Sequence, residues 1–223
     1  MSLELIYFKA CPFAQRTLIA LGQLEVEFTK TLINPNDKPS WIMEETPSGQ
    51  IPLLKIDDES VLFDSSVICE YLNDTNKGKL LPGSDLARAQ MRGLVEFAGE
   101  CQVNFAGLIV AGDEVTFNKM RDGLLKKLTW LERQMDKNIP LFAASELTMI
   151  DVAFAPLFLR IKHLQNVVSI FTAEGLPMIS RWSESLLAEK AVVDSVEGDF
   201  SMIFKNVVNS RGKGGFVHSQ MNR

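Results

Sequence analysis

A cysteine followed by a proline, set between two apolar segments of different period, constrains this chain more than any other stretch. Leu3 to Phe8 is a short apolar run of strand length. Ala14, Leu18 and Leu21 then recur at i, i+4 and i+7, one face of a helix. Pro12 suits the first helical position, where the missing N–H has no partner to lose and the fixed φ fits the first turn. Cys11 therefore stands at a strand-to-helix turn, at the positive end of a helix dipole. Free N–H groups and the dipole favour an anion there, so the thiol is expected to ionise below the ordinary value of about 8.5 and to be reactive.

Position 14 is Ala, so no second thiol stands at the C-x-x-C spacing to resolve a mixed disulfide. Redox chemistry at Cys11 then needs an external thiol, which points to glutathione. Cys69 and Cys101 lie in helical patterns and read as buried structural thiols. His163 and His218 have no metal-ligand spacing with any cysteine, so no metal is expected.

Residues 1–76 alternate strand and helix signals. Glu25 to Ile33 has strand composition after a break expected at Gly22. Lys38-Pro39-Ser40-Trp41 opens a short helical segment that ends near Thr46-Pro47-Ser48-Gly49. Ile51 to Ile56 and Ser60 to Phe63 read as an antiparallel hairpin around Asp57-Asp58-Glu59. A helix then runs from Asp64-Ser65-Ser66 to about Asn73, with Ser65 as its expected N-cap. The order βαβ, helix, ββα is the thioredoxin-like order. In that fold a cis proline before the third strand faces the active cysteine, and Pro52 holds that place.

Residues 77–86, Gly-, Pro- and Lys-rich, read as a linker, and residues 87–223 as an all-helical domain. Long helices are expected over 85–110 and 116–138, the second with the core stripe Leu124, Leu128, Leu131 and Met135. Thr148 and Asp151 form a capping box before a segment, 152–161, that is apolar nearly all round and so central and buried. Pro156 should kink that helix slightly. Two last helices are expected at 176–190 and 199–208, and the glycine-rich tail 209–223 is expected to be loosely held.

The formal net charge of −5 argues against nucleic acid as the main partner. No run approaches the roughly 20 apolar residues of a membrane span. The start of the sequence lacks the basic and apolar regions of a signal peptide, and three cysteines make no disulfide framework, so a cytoplasmic location is expected.

A thioredoxin-like domain followed by an all-α domain resembles the cytosolic glutathione transferases. Cys11-Pro12-Phe13-Ala14-Gln15-Arg16-Thr17 looks like the signature of their omega class, and Lys38-Pro39-Ser40-Trp41 resembles its Lys-Pro-x-Trp element. Ile51-Pro52, Asp64-Ser65 and Met149-Ile150-Asp151 with Pro156 match its glutathione loop, its acid–serine pair and its capped core helix. The resemblance implies that Cys11 forms a mixed disulfide with glutathione. Phe13 would contact glutathione, Lys38 its glycine carboxylate, and Ile51, held by Pro52, its cysteinyl backbone. Asp64 and Ser65 would hold the γ-glutamyl end. A homodimer is also implied.

The chain departs from the omega pattern in two respects. Asp64 replaces the usual Glu. Phe200 and Val207 stand nearest to a Trp and a Tyr that line the second-substrate pocket, so Phe200 is the candidate pocket residue and the pocket is less polar.

The leading expectation is a glutathione-dependent thiol transferase or reductase acting on disulfides, dehydroascorbate or glutathionyl conjugates. A glutathione-conjugating transferase acting on electrophiles is one alternative. It ranks lower because a Cys in place of the usual Ser or Tyr tends to become disulfide-linked. The other is a non-catalytic binding protein on the same fold, like the stringent-starvation proteins that bind RNA polymerase. Those lack the active-site cysteine that this chain has.

Overall fold

The computed structural model describes residues 2–57 and 59–223. The first domain runs β1 (Leu3–Tyr7), α1 (Pro12–Gln23), β2 (Thr29–Leu32), α2 (Trp41–Glu45), β3 (Leu53–Ile56), β4 (Ser60–Phe63) and α3 (Ser65–Thr75). The sheet order is β2-β1-β3-β4. β1 pairs parallel with β2 and antiparallel with β3, and β3 pairs antiparallel with β4. This is the thioredoxin-like order expected from the sequence. β1 is apolar without alternation because both of its faces are covered. Leu5 joins the large core that includes α1 and α3, while Ile6 packs into a smaller cluster with Ile33, Ile42, Ile51 and Leu53. Both sides of the strand that delivers Cys11 are therefore anchored.

The rest of the chain is helical: α4 (Asp85–Val110), α5 (Glu114–Glu132), α6 (Met149–Gln165), α7 (Pro177–Ala188), α8 (Lys190–Asp194), α9 (Phe200–Arg211) and α10 (Phe216–Met221). α6 is the buried centre, as its all-round apolar sequence requires, and packs on both α4 and α1. Its capping box is present. Asp151 accepts from the Thr148 N–H at 2.9 Å, the Thr148 hydroxyl at 2.6 Å, the Phe142 N–H at 3.1 Å and the Trp182 indole N–H at 2.7 Å. A carboxylate with no exposed surface is tolerated there because donors surround it. Leu124, Leu128 and Leu131 of the expected stripe are fully buried, but α5 ends at Glu132, short of the expected 138, so Met135 lies beyond the helix and is half-buried.

Three further local expectations need correction. Gly22 lies inside α1 and does not end it; its bare Cα sits against Ala191 of α8, where a Cβ would be 3.6 Å from the Ala191 Cβ. Asp64, not Ser65, caps α3, accepting the Ser66 N–H at 2.8 Å. An Asp side chain reaches the N–H two residues on more readily than the helix's own first residue can. The tail is not loosely held. Gly212 and Gly215 press their backbones against the carbonyl oxygens of Ile109 and Ala111 at the end of α4, where any Cβ would collide. The Phe216 N–H donates to the Ala111 carbonyl at 2.8 Å, and the Phe216 ring lies 4.9 Å from that of Phe117. Glycines that look like flexibility in the sequence serve close approach in the fold.

Candidate functional site

Cys11 is the N-cap of α1, with Pro12 at the first helical position. Its Sγ accepts the Ala14 N–H at 3.4 Å, and its S–H donates to the Ile51 carbonyl at 3.8 Å. The Ile51–Pro52 bond is cis, as expected. The thiol is 5 % exposed.

Burial dominates its ionisation. The Ala14 and Phe13 N–H groups and the Arg160 and Arg211 guanidinium groups all favour the thiolate, yet desolvation outweighs them and pushes the thiol above its ordinary value. This reverses the sequence expectation of a lowered value in the protein without ligand. The helix-start donors are present, but burial outweighs them. Desolvation likewise pushes the buried Cys69 and Cys101 up to about 12, so they are inert.

Contacts connect the expected glutathione residues into one set. Lys38 Nζ donates to the Gly49 carbonyl at 2.9 Å, which ties the residue to the loop that leads to Ile51 and Pro52. β3 and β4 place Leu53 opposite Phe63, bringing the Ile51 loop alongside the start of α3. There Asp64 is exposed with φ +69°, an uncommon conformation for a side-chain-bearing residue, and Ser65 is buried. Arg16 Nη1 donates to the Ser66 hydroxyl at 3.3 Å, joining α1 to that helix start. Phe13 lies under the Arg16 guanidinium, 5.5 Å from its ring centre, and borders a cavity of about 440 Å³ with Gly99 and Val103 of α4. Phe200 packs over Arg160 at 5.2 Å and beside His163 at 5.1 Å, on the helical-domain side of Cys11.

Arg160 is the residue that sequence reasoning passed over. It is 5 % exposed and has no carboxylate partner among the described residues. It donates to the Ala10 carbonyl at 2.9 Å, the Gln15 amide oxygen at 2.7 Å and the Pro156 carbonyl at 2.8 Å. Desolvation lowers its own ionisation to about 10, and the nearby Cys11 opposes that shift. A charge inside an otherwise apolar core helix was the signal available in the sequence.

A thiol at a helix start, beside a cis proline and backed by helices, places the chain among thioredoxin-like proteins with a helical partner domain. The comparisons narrow that class. Residues 10–75 match the family model for the glutathione S-transferase N-terminal domain. The chain is 29 % identical over 184 residues to glutathione S-transferase omega-1 of Sus scrofa, covering 82 % of this chain and 75 % of that protein. The structure of glutathione transferase Omega 3C from Trametes versicolor superposes with a TM-score of 0.79 at 20 % identity, covering 89 % of this chain and 90 % of that one. Rice GST1, solved in complex with glutathione, superposes with a TM-score of 0.82 at 22 % identity, covering 95 % of this chain and 98 % of that one. Residues 10–75 thus carry the glutathione S-transferase N-terminal domain, and the chain as a whole is similar to omega-class glutathione S-transferases and shares the fold of glutathione transferases. Among the described residues, no helix is long and apolar enough to cross a membrane.

Proposed function

We propose that this protein is a glutathione-dependent thiol transferase or reductase working through a Cys11–glutathione mixed disulfide. The observation that carries the reading is the free Cys11 sulfur, held between the Ala14 N–H and the Ile51 carbonyl, with Ala14 where a C-x-x-C motif has its second thiol. Cys11 thiolate attacks the glutathione sulfur of a glutathionylated substrate. The new S–S bond forms as the old one breaks, and the substrate leaves as a thiolate. A second glutathione thiolate then attacks the glutathione sulfur of the mixed disulfide. Oxidised glutathione forms, and Cys11 is released as thiolate. Small disulfides, dehydroascorbate and glutathionyl conjugates are the substrate classes.

Glutathione lies along the connected set described above. Lys38 faces its glycine carboxylate, and the Ile51 backbone, turned by Pro52, pairs with its cysteinyl part as an added strand does. Phe13 flanks it. Ser65 and the α3 N–H groups take the γ-glutamyl carboxylate, and Asp64 the ammonium. Phe200 belongs to the wall of the second-substrate pocket.

The working form is a cytoplasmic homodimer. Phe63 and Val67 leave 44 % and 52 % of their surface exposed at the β4–α3 edge, and Trp130 leaves 47 % exposed on α5. Apolar groups on both domains suit the two-fold pairing of one subunit's first domain with the other's helical domain. Light scattering should then give twice the 24.9 kDa chain mass.

Intact mass after incubation with oxidised glutathione tests the chemistry. One glutathione adduct, absent in Cys11→Ser, is expected. No adduct on the unaltered protein would overturn the reading and favour a non-catalytic binding protein.

A further inference from the structure

The turn that carries Cys11 is gripped from the helical domain at several points, most of them from a single short segment. Connection 195–199 joins α8 to α9. The Ser195 hydroxyl accepts from the Gln15 amide at 3.1 Å and itself donates to the Val192 carbonyl at 2.6 Å. Glu197 accepts the Tyr7 hydroxyl at 2.6 Å, pairs with Lys30 of β2, and lies 3.9 Å from Lys9. Asp199 then caps α9 through the Ser201 N–H at 2.9 Å. α9 begins with Phe200, whose ring covers Arg160. Arg160 reaches the Ala10 carbonyl and the Gln15 amide oxygen.

Tyr7 ends β1, Lys9 and Ala10 lie in the turn, and Gln15 is in the first turns of α1. The residues on both sides of Cys11 are thus fixed by side chains that come from the other domain. Tyr7 is buried as a residue, and its hydroxyl takes Glu197 as its partner in a part-buried contact. Gln15 is also buried, and its amide oxygen and nitrogen are both engaged, by Arg160 and by Ser195. A surface salt bridge adds little, but a short, part-buried hydroxyl–carboxylate contact with an ion pair behind it holds a geometry.

We propose that connection 195–199 is a positioning clamp for the nucleophile turn, with Glu197 as its central residue. Glu197 touches neither glutathione nor the sulfur. It fixes β1 and the turn against the domain that carries Phe200, so the Cys11 sulfur and the second-substrate wall hold one relative position. The proposal rests on Cys11 being the nucleophile of the proposed reaction. Thiol–disulfide exchange needs the attacking and accepting sulfurs in line, so small misplacement shows in the exchange step more than in binding.

The experiment is a single-turnover measurement on the full chain with oxidised glutathione at saturation. It is paired with glutathione affinity measured calorimetrically in a Cys11→Ser background, and with thermal melting. Glu197→Ala is expected to lower the saturated exchange rate by about tenfold while the glutathione dissociation constant moves by less than about threefold. Glu197→Gln, which keeps an acceptor for Tyr7, should restore part of that loss. Tyr7→Phe should slow exchange by about threefold or more, and the double variant Tyr7→Phe/Glu197→Gln should fall short of the product of the two single effects.

Melting lowered without any change in the saturated rate would mean that the contact is only structural, and would overturn the clamp. A weakened glutathione affinity with an unchanged saturated rate would also overturn it. If Glu197→Ala fails to fold, Tyr7→Phe, which removes a single hydroxyl, decides by the same criteria. An unaltered protein that never exchanges with oxidised glutathione defeats the nucleophile reading and the clamp together. A reactive protein with indifferent variants defeats the clamp alone.

Discussion

Cys11 Sγ and the Ile51 carbonyl oxygen lie 3.8 Å apart, so the start of α1 and the entry to β3 form two walls of one narrow slot. That slot explains why the thiol is both placed and suppressed. It is aimed at the backbone expected to pair with glutathione, and it is shut away from water.

The pH profile of Cys11 alkylation follows from that balance. In the glutathione-free protein, its midpoint should lie above that of an ordinary thiol, because burial outweighs the helix N–H groups and the two arginines. Arg160→Met removes a buried cation that favours the thiolate, so the midpoint should rise further. A midpoint in the Met variant equal to or below the unaltered one would show that Arg160 holds the turn without affecting its charge.

Alkaline stability follows from the other two thiols. Cys69 and Cys101 are pushed up to about 12 by burial. Above pH of about 8.5 the unfolded chain sheds thiol protons that the folded chain keeps. Their stabilising contribution is therefore complete below that pH and is lost as pH rises towards about 12. Urea midpoints should fall from pH 8 to pH 10.5, and Cys101→Ala should fall less steeply than the unaltered chain. Equal slopes would mean that the loss comes from other groups.

The γ-glutamyl anchor can be tested apart from the chemistry. Asp64 already spends one oxygen on the Ser66 N–H, which leaves the other for the ammonium of glutathione. Asp64→Ala should weaken glutathione affinity by about ten- to a hundredfold, the equivalent of roughly 1.5–3 kcal/mol. It should also cost about 1 kcal/mol of stability through the lost cap. Calorimetry in the Cys11→Ser background would expose the first effect. Unchanged affinity would leave Asp64 as a helix cap only.

Asp151 is the most consequential polar residue for stability. Truncation to Ala strands the Trp182 indole N–H, the Phe142 and Thr148 N–H groups and the Thr148 hydroxyl in the core. The expected cost is on the order of 4 kcal/mol, a melting point lower by roughly 10 °C for a chain of this size. A drop of only one or two degrees would mean that water reaches those donors.

The tail offers a matched pair. Gly212→Ala forces a Cβ into the Ile109 carbonyl and should cost about 2–3 kcal/mol, loosening α10 enough for limited proteolysis to remove it. Gly214→Ala faces open space and suffers only its φ of +78°, about 1 kcal/mol. Equal effects would deny the close approach at Gly212.

Local features were legible in the chain because local physics decides them. Pro12 at a helix start, the Thr148–Asp151 box, the all-round apolar α6 and the antiparallel hairpin depend on neighbours within a few residues, and each formed as read. The order of strands and helices, with the resemblance to omega-class motifs, pointed to the glutathione S-transferase N-terminal domain that residues 10–75 match. What the sequence could not determine was the sum of long-range terms. Desolvation of Cys11 comes from the tertiary packing that buries it, so the helix-dipole reading had the right sign for its own contribution and the wrong sign for the total. Arg160, Ser195 and Glu197 are 145 or more residues from the turn that they hold, and no periodicity marks them. The glycines of the tail carry no mark in the sequence that separates freedom from close approach. Only the carbonyl oxygens of Ile109 and Ala111, brought there by the packing of α4, decide that they must lack a side chain.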